Sequence, residues 1–115
     1  MGQEDFTDTW STQIVKRAKI DAASSGNNTL VAAVTGKKIR VLAAFLTMTG
    51  TAVTIRFEDG ADGTALTGQM GPTAGQTIVL PFNPVGWFET SAATLLNLEL
   101  SGAQSVDGSL VYVEA

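Results

Sequence analysis

Beyond residue 13 the chain reads as short runs of alternating apolar and polar residues separated by turns. Ile14, Ala18, Ile20 and Ala22 recur at even positions among Lys16, Arg17, Lys19 and Asp21, the period of two that marks a half-buried strand. Ser24-Ser25-Gly26-Asn27-Asn28 is a turn cluster, Leu30 to Val34 a short strand, and Thr35-Gly36-Lys37-Lys38 a second turn. Ile39 to Thr49 is the longest apolar stretch. Strict alternation places Ile39, Val41, Ala43 and Phe45 on one face, and Arg40, Leu42, Ala44, Leu46 and Met48 on the other. A strand apolar on both faces is expected at the centre of its sheet or covered on both sides.

The pattern then repeats. Val53, Ile55 and Phe57 alternate with Thr54 and Arg56, and Glu58-Asp59-Gly60-Ala61-Asp62-Gly63 makes a polar turn. Ala65, Thr67 and Gln69 form a weak strand ended by Gly71-Pro72. Thr77 to Phe82, Leu95 to Leu100 and Ser109 to Glu114 complete the series. No stretch has sustained helical spacing bounded by a cap. Eight or nine short strands at this spacing predict an all-β fold, a compact antiparallel β-sandwich of jelly-roll type spanning residues 13–115. Residues 1–12 lack the alternation. They are expected to form an extended N-terminal arm, ordered only if Phe6 and Trp10 are held by the domain or by a partner.

Composition narrows what such a domain can do. The 115 residues suit one core, and 44% apolar with 16% charged residues is a folding composition. There is no cysteine and no histidine. Disulfides, thiolate metal sites, thiol nucleophiles and the commonest general base are therefore absent from the chain. All seven bases lie within the first 56 residues against four acids, a net +3, and the remainder carries seven acids and no base, a net −7. An acidic second half disfavours nucleic acid as a partner. The acidic start (Glu4, Asp5) does not resemble a signal peptide, and Val41–Leu46 is too short to span a membrane.

No motif supplies catalytic chemistry. Asp59-Gly60-Ala61-Asp62-Gly63 has glycine and alanine where a calcium loop needs side-chain oxygens, and reads as a hairpin turn. Gly68, Gly71 and Gly75 match no phosphate-binding fingerprint. The carboxylates after Arg56 fall at turns or on polar strand faces, where solvated acids normally lie. The chain is thus expected to be no enzyme and to need no metal or cofactor. Phe82, Trp87 and Phe88, in a segment stiffened by Pro81 and Pro84, are the main aromatic cluster. They are expected to plug one end of the sandwich or to form an oligomer interface. Many strand residues are alanine, so the core is modest, and association would bury further area and cover open sheet edges. The two-faced strand at Ile39–Thr49 is one surface so covered, and a closed ring of identical copies is an economical arrangement.

Five segments carry a resemblance: Gly36–Leu42, Gly63–Gly68, Val79–Thr90, Leu95–Gly102 and Gly108–Val113. Together, over roughly residues 24–115, they look like small jelly-roll capsid decoration (cement) proteins of tailed bacteriophages. The resemblance implies a homotrimer on the outer surface of the phage head, made in the host cytoplasm, that binds the major capsid protein where capsid subunits meet. Under that reading Asp5, Phe6 and Trp10 of the arm, with Lys16, Arg17 and Lys19 at its base, would contact capsid or a neighbouring copy. Two other roles remain open: a receptor- or glycan-binding module of a tail fibre or spike, and a structural component of the tail or neck.

Overall fold

The computed structural model describes residues 14–50 and 53–115; the arm, with Asp5, Phe6 and Trp10, lies outside the described residues. Every regular element among the described residues is a strand. In chain order these are β1 (Lys16–Ala22), β2 (Gly26–Val31), β3 (Ile39–Met48), β4 (Ile55–Asp59) and β5 (Thr64–Ala65). There follow β6 (Thr77–Leu80), β7 (Phe88–Glu89), β8 (Leu96–Leu100) and β9 (Val106–Glu114). They form two antiparallel sheets. Sheet I has the order β1-β9-β3-β6, with β7 also paired to β3, and sheet II has the order β2-β8-β4-β5. The chain is an all-β sandwich.

The core lies between the sheets. Ile20 and Ala22 of β1, Ile39, Val41, Ala44, Leu46 and Met48 of β3, and Val106, Leu110 and Tyr112 of β9 belong to one buried cluster. Ile55, Phe57, Leu96, Leu98 and Leu100 of sheet II belong to it too. Each large side chain fully buried here contributes roughly 1.5–3 kcal/mol. β3 is central, with β9 on one side and β6 and β7 on the other, which is why its sequence is apolar almost throughout.

The faces of β3 differ from strict alternation. A β-bulge falls between Val41 and Ala43: Val41 pairs with Tyr112 and Ala43 with Val111, leaving Leu42 as the extra residue. One extra residue reverses the parity of everything after it. Ile39 and Val41 therefore share the core with Ala44, Leu46 and Met48, while Phe45, expected beside Ile39 and Val41, stands outside and exposed.

Three smaller departures have local causes. β2 starts inside the expected turn, at Gly26, because Gly26–Thr29 pair with Asn97–Leu100 of β8. It ends at Val31, short of the expected Val34. β9 starts at Val106, ahead of the expected Ser109, and runs through Gly108. A Cβ on Gly108 would lie 1.9 Å from the carbonyl oxygen of Phe45. The glycine hides a strand from the sequence pattern, and it is there because the neighbouring backbone of β3 leaves no room for a side chain.

Candidate association surface

The outer face of sheet I can be read row by row from the strand register. One row runs Asp21–Asp107–Thr47–Thr77 across β1, β9, β3 and β6, and the next runs Lys19–Ser109–Phe45–Val79. A third joins Arg17, Val111 and Ala43. A fourth, across β9, β3 and β7, joins Val113, Arg40 and Glu89. Charge is thus confined to the β1 side and to the last row. Between them Phe45 and Val79 are 51% and 62% exposed. They border a depression of about 200 Å³ floored by Ala43 and Ala44 and closed by Pro81, Phe82 and Val111.

The Pro81–Trp87 corner is fixed to this face by backbone bonds. The amides of Asn83 and Trp87 donate to the carbonyls of Leu42 and Val41, both at 2.8 Å, so the bulge in β3 anchors the corner. The Trp87 indole N–H donates to the Pro81 carbonyl at 2.7 Å, and the Gly86 amide donates to the Asn83 carbonyl at 3.0 Å. Gly86 has a φ of +96°, and a Cβ there would lie 2.6 Å from Cγ of Arg40. Both the backbone conformation and the close approach require glycine.

The expected aromatic cluster divides. Phe88 is partly buried and meets Phe57 between the sheets, the ring centroids 4.8 Å apart. Phe82 and Trp87 remain 59% and 43% exposed. Of the three basic residues at the base of the arm, Lys16 is held by Glu114, its Nζ donating at 2.9 Å. That hydrogen bond, with the carboxylate's charge, raises the Lys16 pKa above its ordinary value. Arg17 and Lys19 alternate with core-facing Ile20 and project from the exposed outer face. At the opposite side Glu89 accepts from Nε of Arg40 at 2.9 Å and from Nζ of Lys38 at 3.4 Å, and the Arg40 bond leads in lowering its pKa.

Sheet II presents a contrasting outer face. Glu58, only 1% exposed, accepts from Nε of Arg56 at 2.7 Å and from Nδ2 of Asn97 at 2.9 Å. The Oδ1 of Asn97 in turn accepts the Asn28 amide at 2.8 Å. The Asp59–Gly63 turn is a hairpin connection: Asp59 accepts from the Ser91 amide and hydroxyl, and Gly63 donates to Gly60. These carboxylates are held by hydrogen bonds within the fold. Sheet I instead carries the exposed apolar side chains of Phe45 and Val79. Its Phe45 escaped the sequence reading because the bulge carries no residue signature, although two-sided hydrophobicity did single out β3.

No protein-family model matches the chain, and no curated protein matches it. Among solved structures the fold is similar to that of a protein from work titled "Bacillus endospore appendages form a novel family of disulfide-linked pili". The likeness has a TM-score of 0.56 at 19% identity and covers 90% of this chain and 87% of that one. This overturns the assignment as a phage head decoration protein: a solved neighbour of this sandwich is a pilus protein of Bacillus endospores. The segments that suggested a capsid protein are strands of the sandwich and the turns between them, which the fold requires whatever its use. The capsid partner and the virion location implied by the same resemblance find no support in this comparison.

Proposed function

We propose that this chain is a structural subunit that assembles non-covalently with copies of itself. The observation that carries the reading is the apolar outer face of sheet I, where Phe45, Val79 and Phe82 stand exposed around one depression. A patch of this kind on a domain that has its own buried core marks an association surface. The fold shared with a pilus protein supports it. Those pili are described as disulfide-linked, whereas this chain has no cysteine, so its subunits are joined by packing and charge alone. We also read the interleaved strand order, with β7 as an added ribbon, as jelly-roll connectivity.

Light scattering across a concentration series tests the reading. The mass is expected to rise above 12.0 kDa as concentration increases, to be unchanged by reductant, and to report the stoichiometry. A mass that stays at one chain up to about 1 mM, where the association free energy would be weaker than about −4 kcal/mol, overturns it.

A further inference from the structure

We infer that the outer face of sheet I packs against the same face of a second copy with the strands of the two copies running antiparallel. The inference rests on the self-assembly reading and adds that the two faces meet each other, and in which orientation. The occupant follows from charge. Along β1 the exposed outward residues are Arg17, Lys19 and Asp21, and Asp21 lies in register beside Asp107. One end of the face is therefore acidic and the other basic, about 13 Å apart at 3.3 Å per residue. Two like carboxylates side by side are unfavourable in the isolated sheet and become favourable when a cation is brought over them.

A second copy provides that cation in one orientation. A two-fold axis parallel to the strands would set Arg17 and Lys19 over β6, whose outward residues Thr77 and Val79 carry no charge. An axis across the strands sets the Asp21–Asp107 end of each copy over the Arg17 end of the other. It forms two equivalent Asp21–Arg17 pairs, as a self-complementary contact must. The midpoint between those residues is the row Lys19–Ser109–Phe45–Val79. Phe45 then meets Phe45 of the second copy near the axis, over the shallow depression beside Val79. Lys19 lies on the edge strand, where its stem extends past the contact and its ammonium reaches water. Four strands make a face only about 20 Å wide. This is a modest contact, expected to associate with concentration rather than to be permanent.

Complementing charge variants test the orientation. Arg17→Asp and Asp21→Arg are each expected to weaken self-association at least tenfold, and an equimolar mixture of the two is expected to restore it, since each pair is then formed once. Phe45→Glu, at an exposed position that leaves the melting temperature of the monomer near the parent's, is expected to abolish association. Because the chain has no cysteine, Ser109→Cys supplies a single thiol near the axis. A short bismaleimide is expected to join Ser109→Cys chains into dimers and to leave Thr29→Cys, on sheet II, as monomers.

Association that survives Phe45→Glu, or mixed charge variants that stay dissociated, would overturn the face contact while the parent's own association upholds the self-assembly reading. A parent chain that is monomeric throughout overturns both.

Discussion

Phe57 of sheet II and Phe88 of β7 meet between the sheets with their rings 4.8 Å apart and tilted by 38°. Phe57 is fully buried and Phe88 only in part, so the pair joins the core to the corner that carries Trp87. Phe57→Ala is expected to cost about 3–5 kcal/mol and Phe88→Ala less. A double-mutant cycle by denaturant unfolding should return a coupling of about 1 kcal/mol. A coupling near zero would mean that β7 hangs on the sandwich by its backbone bonds alone.

Gly108→Ala tests the close approach of β9 to β3. Its Cβ would sit 1.9 Å from the Phe45 carbonyl oxygen and 2.8 Å from Cα of Leu46, both backbone atoms that cannot move aside cheaply. The loss is expected in the upper part of the usual range for point changes, about 2–3 kcal/mol, read from the urea midpoint. Gly68→Ala, where a Cβ meets nothing within 4 Å, serves as the neutral control.

The Glu58 carboxylate is buried between Arg56 and Asn97. Arg56→Met leaves that charge with Asn97 alone. The expected cost is about 3 kcal/mol, at the low end for breaking a buried pair, because the Arg56 side chain is itself 35% exposed. Replacing both residues by methionine should recover most of the loss, as measured by chemical denaturation.

Three ion pairs, two at Glu89 and one at Lys16, make the stability of sheet I depend on pH. Glu89 has its pKa lowered from 4.5 by Arg40 and Lys38. Its contribution is therefore present above pH 4.5 and lost as the pH falls through the lowered folded value. Lys16 has its pKa raised above 10.5 by Glu114; its contribution is present below that value and lost as the pH rises through the raised one. Glu89→Gln should flatten the acid limb of a melting-temperature profile and leave the alkaline limb unchanged. Both effects should shrink in high salt, since the pairs are partly exposed.

The strands that alternate cleanly, β1, β4 and β8, were legible in the sequence because each turns its apolar residues to the core and its polar ones away. So was the all-β class. What periodicity could not supply was strand order, which depends on which turn leads to which sheet. It also could not supply the parity of β3, since a bulge needs no particular residue type. The separate fates of Phe88, Trp87 and Phe82 were hidden for a related reason. Their spacing identifies a stiff aromatic corner, but backbone bonds to Val41 and Leu42 decide which ring turns inward.

Leu42 has no partner residue across β9, yet two properties of the surface depend on it. As the added residue it turns Phe45 toward solvent, and through its carbonyl it holds Asn83 and hence the strip bearing Phe82. Straightening β3 would therefore turn Phe45 toward the core and remove one of the two backbone bonds that hold the corner, leaving only the one from Trp87 to Val41.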